Sequence, residues 1–227
     1  MKKLTLAALL LLGGITTTFA QANKKEYKVD PASVAATLKY LSSDELEGRL
    51  AGSTGLEKAA AYLEDILKKN DVKPYFKTYK DTLTNFDKPT YNIVGYLEGT
   101  DPVLKKEFLV LGAHYDHIGL TEDPTGGDNV YNGANDDASG TTTIAELVQY
   151  FAKNKNNKRS ILFCFFSAEE AGLLGSRSLA TKLKAKNFNM YAMLNFEMVG
   201  VPMKRDILAY VTGWHMSNMG DKINEYS

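Results

Sequence analysis

Residues 106–116 read "KEFLVLGAHYD", a near-continuous apolar run that ends in His114 and Asp116. A strand that is apolar on both faces is covered on both faces, the habit of a parallel sheet inside an α/β protein. The polar ending is unusual. The chain has only 3 histidines, and the second, His117, follows at once in "HYDH". In an extended strand His114 and Asp116 point to the same side. They are either ordinary polar residues at a strand end or part of a metal-binding cluster. The rest of the chain decides which.

Working outward, helices and strands alternate. "DPASVAATLKYLSS" (30–43) opens a helix, with Asp30 as cap and Pro31 at the first helical position. "LEGRLAGSTG" (46–55) is Gly-rich and looped. In "GLEKAAAYLEDILKKND" (55–71), Leu56, Ala59, Ala60, Leu63, Ile66 and Leu67 follow helical spacing. Strands are expected over 75–86 and 91–99, and a long polar loop over 121–137. A helix over 138–154, a buried strand over 159–167 and a mostly helical 172–186 follow. Strands over 190–200 and 205–213 complete the pattern. The expected fold is α/β, with a mixed, mostly parallel central sheet flanked by helices on both faces.

Lys plus Arg and Asp plus Glu both number 27, with no like-charge blocks, which argues against a nucleic-acid or anionic-membrane partner. "MKK" followed by "LTLAALLLLGGI" (4–15) and "TTTFA" (16–20) reads as a signal peptide cleaved after Ala20. The apolar run is too short to span a bilayer. The expected product is a secreted or periplasmic domain, residues 21–227, with no membrane span after cleavage. The single cysteine, Cys164, lies in "SILFCFFS" (160–167) and reads as a small buried hydrophobe.

Polar clusters recur where strands end: "HYDH", then "SAEE" with Glu169 and Glu170, then "NFEMVG" with Glu197. "NDDASG", with Asp136 and Asp137, opens a helix. Ligands of open α/β sheets bind outside the carboxyl ends of the strands, so these clusters can converge on one rim. Each has an ordinary alternative. Asp137 suits a helix cap, and Glu197 suits a salt bridge. Adjacent Glu169 and Glu170 beside an apolar strand repel each other unless a cation or a shared proton is near. One imidazole and several carboxylates, with no thiolate, suit zinc or a similar dication with open positions.

Taken together, "GAHYDHIG" (112–119), "NGANDDASG" (132–140), "FSAEEAGLLGS" (166–176) and "MLNFEMVG" (193–200) resemble the ordered motifs of metallopeptidase family M28. These are co-catalytic zinc aminopeptidases related to glutamate carboxypeptidase and glutaminyl cyclase. "LSSDELEGRLAGSTG" (41–55) resembles the family's N-terminal signature. The resemblance implies a zinc-dependent exopeptidase acting on peptide substrates. It implies that His114 and Glu197 bind one zinc, that Asp136 bridges two, and that Glu170 binds the second. Glu169 is then the general base for a metal-activated water, and Asp116 orients His114. Glu197 stands where the family commonly has Asp. His117 also matches the motif and is read as structural.

The family pattern needs a further C-terminal His for the second zinc. His215, in "VTGWHMSN" (211–218), does not resemble that motif. The expectation is that the closing part of the fold, with that His, lies beyond Ser227, so that the second of two zinc sites is incomplete. A carboxypeptidase or glutaminyl cyclase on the same fold, and a non-catalytic binding domain, are the alternatives.

Overall fold

The computed structural model describes residues 26–202, 204, 207 and 210–225. The leader expected over 1–20 lies outside them, as do residues 205, 206, 208 and 209 of the strand expected over 205–213, whose described residues show only an isolated bridge from Ile207 to Lys204.

Helix α1 (Pro31–Leu41) starts as its sequence predicts, with the Asp30 carboxylate accepting from the Ala32 N–H at 3.0 Å. Helix α2 (Thr54–Lys69) is capped by Ser53, whose hydroxyl accepts from the Leu56 N–H. Leu56, Ala59, Ala60, Leu63 and Leu67 of the predicted stripe are buried, and Ile66 is partly buried against them. Next come β1 (Lys73–Pro74), β2 (Lys80–Thr82), β3 (Tyr91–Leu97) and β4 (Phe108–His114). A hairpin of β5 (Leu120–Thr125) and β6 (Asp128–Val130) precedes α3 (Ser139–Asn154). The chain continues through β7 (Ser160–Phe166), α4 (Leu174–Ala185), β8 (Met190–Asn195) and α5 (Met219–Asn224).

The main sheet runs β1-β3-β7-β4-β8, with β2 also on β3. β7, β4 and β8 are parallel, while β1, β2 and β7 each pair antiparallel with β3. The sheet is therefore mixed, and its parallel half is the half that carries the polar clusters. β7 is buried along its whole length and explains the layering. Ile161, Phe163 and Phe165 pack with α2 and α3, whereas Leu162, Cys164 and Phe166 pack on the other face with Leu179 and Leu183 of α4. With side chains alternating across a strand, an unbroken apolar run fills two cores at once. Cys164 is buried as expected, and burial pushes its thiol far up.

Two expectations change. The strand foreseen over 75–86 is short, because residues 75–79 bulge out while the partner register advances only from Gly95 to Ile93. The Tyr75 N–H and the Tyr79 carbonyl still bond to Val94 on either side of the bulge, and the Tyr75 ring meets Phe108 and Phe188 edge-on. The polar loop foreseen over 121–137 contains the β5–β6 hairpin, turned by Gly126 and Gly127 at φ +67° and +85°. A Gly-Gly pair is the usual chemistry of such a turn, and that signal stood in the sequence. Among the described residues no helix is long and apolar enough to cross a membrane.

Because Phe163 is fully buried in the larger core, Phe163→Ala is expected to lower unfolding stability by about 3–5 kcal/mol. Urea denaturation checks this, and a loss under about 1 kcal/mol would show that β7 is not the packed centre described.

Candidate metal centre

Register brings the clusters together. His114 ends β4 opposite Phe166 of β7, and Gly112 lies opposite Asn195 of β8. The three parallel strands therefore end at one edge, delivering "HYDH", "SAEE" and "NFE" side by side. Helix α3 reaches the same edge with its N-terminus, where the Thr141 hydroxyl donates to the His114 carbonyl at 2.6 Å. Ala168 and Met198, which flank Glu169 and Glu197 in sequence, hold left-handed backbone at φ +53° and +50°. Non-glycine residues adopt it at a cost, and it is common where functional groups are aimed.

His114 is almost fully buried. Its Nδ1 lies 3.1 Å from the Asp116 main-chain carbonyl and 3.7 Å from that residue's carboxylate. Asp116 thus faces the imidazole, with the carbonyl nearer. Its fully buried carboxylate also accepts from the Glu169 N–H at 3.1 Å and the Glu170 N–H at 3.4 Å, so one residue fixes two clusters. The free face of His114, Nε2, stands 3.1 Å from Asp136 Oδ1, 3.2 Å from Glu197 Oε1 and 3.9 Å from Glu169 Oε2.

Asp136 and Asp137 are joined by a cis peptide bond. The cap reading holds for Asp137: its Oδ1 accepts from the Gly140 and Met198 N–H groups, each at 3.0 Å. Its other oxygen is buried without a hydrogen-bond partner. A Cβ on Gly140 would come within 2.5 Å of that oxygen, so the helix closes on Asp137 only because residue 140 has no side chain.

The donors form two groups that could each hold an ion: His114, Asp137 and Glu197, and His117, Asp136 and Glu170, the atoms of each lying within 4.8 Å of one another. Asp136 belongs to the second group and also touches His114 of the first. His117, read as structural, instead places Nδ1 2.7 Å from Glu170 Oε1. Its place in "HYDH" was the signal that it belonged to the cluster. His215 lies exposed in a short turn, Trp214–Met216, and belongs to neither group. An apolar groove lined by α4 and β8 side chains such as Leu183 and Met193 lies apart from these residues.

The arrangement fits zinc. Donors about 2.0–2.1 Å from a tetrahedral zinc stand about 3.3–3.4 Å apart, near the 3.1 and 3.2 Å separations around His114 Nε2. The electrostatics agree. Burial pulls the His114 pKa down, but hydrogen bonds to Asp116 and Glu197 and the charges of Asp137 and Glu197 overcome it and raise it to about 11. Burial, then the charge of Glu197, raise Asp137 to about 8. Burial also raises Glu169, with Glu197, Asp116 and Glu170 adding to it and His114 opposing. Carboxylates packed this closely draw in positive charge, which in the protein alone is a proton on His114.

A two-faced α/β sheet with an imidazole–carboxylate cage at its parallel strand ends is the layout of a metallohydrolase. The sequence model of peptidase family M28 matches residues 92–226, and the chain belongs to that family. A probable zinc metalloprotease of Pyrenophora tritici-repentis is 40% identical over 109 residues, 48% of this chain and 24% of that protein. Leucine aminopeptidase 1 of Emericella nidulans is 38% identical over 104 residues, 44% of this chain and 26% of that protein. The chain spans about a quarter of these relatives' lengths. The crystal structure of the Legionella pneumophila LapA aminopeptidase superposes with a TM-score of 0.59 at 24% identity, covering 77% of this chain and 44% of that one. This likeness establishes the fold.

The pKa values of His114 and Asp137 are both raised. Asp137 binds its proton more tightly folded than unfolded between its ordinary 3.8 and about 8, and His114 does so between 6.5 and about 11. The metal-free protein is therefore expected to lose stability as pH rises through these windows. Melting temperature measured from pH 5 to 9 in chelator should fall on the alkaline side. A rise across that range would contradict the electrostatics described.

Proposed function

We propose that this chain is the zinc-binding catalytic part, residues 21–227, of an exported exopeptidase, with residues 1–20 as the signal peptide. In this reading it is an aminopeptidase that hydrolyses the first residue from peptides. The observation that carries the reading is the His114 imidazole held between Asp136 and Glu197 at 3.1 and 3.2 Å, the spacing of zinc donors.

His114, Asp136 and Glu197 would hold one zinc, and Asp136, Glu170 and His117 would hold a second. His117 thus supplies an imidazole where the family pattern calls for a C-terminal one. Bound zinc lowers the pKa of water and polarises a carbonyl. Glu169 is free of these duties. Burial has raised its pKa, which makes its carboxylate a better proton acceptor. It takes the proton of the attacking water and passes it to the departing amine. Asp116 holds the backbone of Glu169 and Glu170 in place by its two hydrogen bonds. The carboxylates of Glu169, Glu170 and Glu197 are all partly exposed and favour a substrate's ammonium terminus over a carboxylate terminus, which supports aminopeptidase over carboxypeptidase action.

Glu169→Gln is expected to lower kcat on aminoacyl anilides by about 10²–10⁴-fold with zinc content unchanged. Full activity in this variant would overturn the assignment of the base. Cyclisation of Gln-peptides without anilide hydrolysis would point to a cyclase instead. His117→Ala is expected to reduce bound zinc from two ions per chain to about one, by elemental analysis after dialysis. An unchanged count would remove His117 from the second site.

A further inference from the structure

Arg49 is 1% exposed and fills none of the roles above. Burial is the largest influence on it and lowers its pKa to about 10, so it remains charged at neutral pH. No carboxylate lies within ion-pair distance of its guanidinium among the described residues. It spends its donors on main-chain carbonyls. Nε donates to Tyr115 at 2.9 Å, Nη1 to Asn132 at 2.7 Å and to Leu41, and Nη2 to Gly133 at 3.0 Å. Its own carbonyl accepts from the His117 N–H at 3.0 Å.

These acceptors are informative. Tyr115 is the residue between His114 and Asp116. Asn132 and Gly133 form the turn that leads into Asp136 and Asp137. Leu41 closes α1. The planar fork therefore ties the strand-end segment of one donor cluster to the loop segment of another, and both to the N-terminal helix. Asp116, Asp137, Asp136 and Glu170 are near enough for its charge to be felt by each of them. A buried cation with no direct carboxylate partner is costly unless hydrogen bonds and nearby negative charge offset it. Here the carbonyls supply the first and the donor cluster the second.

We propose that Arg49 is the positioning residue of the metal centre. Its buried guanidinium fastens the Tyr115 segment to the Asn132–Gly133 turn and so sets His114 and Asp136 at zinc spacing. The inference rests on the metal reading above and extends it to a residue that touches no metal and lies far from the donors in sequence. Partners that orient ligands from behind typically change metal affinity by 10–100-fold when removed. Lysine keeps the charge but cannot reach several carbonyls from fixed directions.

The test compares wild type with Arg49→Lys and Arg49→Met by zinc competition against a chromophoric chelator. Far-UV circular dichroism and chelator-treated melting report the fold, and the visible spectrum of the cobalt-substituted protein reports donor geometry. The expected result is a folded Arg49→Lys protein whose zinc affinity falls about 10–100-fold and whose cobalt bands shift, with Arg49→Met weaker still. A folded Arg49→Lys protein with affinity within twofold of wild type and an unchanged cobalt spectrum would overturn the proposal. Should both variants fail to fold, ¹⁵N-arginine-labelled wild type decides. The slowly exchanging Arg49 Nε–H signal is expected to move in step with zinc saturation, and a signal unmoved at saturation refutes the role. Wild type that takes up no zinc would remove the metal reading and this one with it. Tight zinc binding by wild type and Arg49→Lys alike would remove this one alone.

Discussion

Everything at the site depends on the parallel register of β4, β7 and β8. With His114 opposite Phe166 and Gly112 opposite Asn195, the three strands end together. A slip of one residue would exchange the side chains of β7 between two differently shaped cores, so close packing in both enforces the register that the chemistry needs. The polar clusters are then held at the sheet edge by packing that has nothing to do with metal. The repulsion among Asp136, Asp137, Glu169 and Glu197 is set against a core that keeps them in place.

The fixed cage has a consequence for its contents. Asp137 offers a buried oxygen without a partner, and the pKa values of His114 and Asp137 both rise. The unpartnered oxygen and the rise at Asp137 follow from burial, with the charge of Glu197 adding to the rise, and the rise at His114 reflects the carboxylates around it. Asp116 shows how closely the parts are linked. Its carbonyl faces His114 while its carboxylate holds the Glu169–Glu170 backbone, so one buried residue links the two clusters.

Much of this was legible in the sequence. The doubly apolar "ILFCFF" announced a strand covered on two faces, and the polar residues that ended apolar runs announced the rim. The start of α1 followed from Asp30 and Pro31. Less legible was anything that depended on which chain segment lay across the site. His117 lies next to the cluster in sequence, but only the fold turns its ring to Glu170. Arg49 sits in a segment whose signature could be matched, and only the folded chain carries its guanidinium to Tyr115 and Gly133. The bulge at 75–79 was hidden because Tyr75 and Phe76 have strand-like propensity, yet an aromatic cluster took them instead.

The account stands or falls on whether the strand-end cage holds metal with the donors named. X-ray absorption on the zinc-loaded protein measures this most directly. The account predicts a nitrogen and oxygen shell at about 2.0–2.1 Å, imidazole scattering, no sulfur, and a zinc–zinc vector near 3.5–4 Å. A protein that retains no zinc, or one whose zinc shell lacks imidazole, would contradict it.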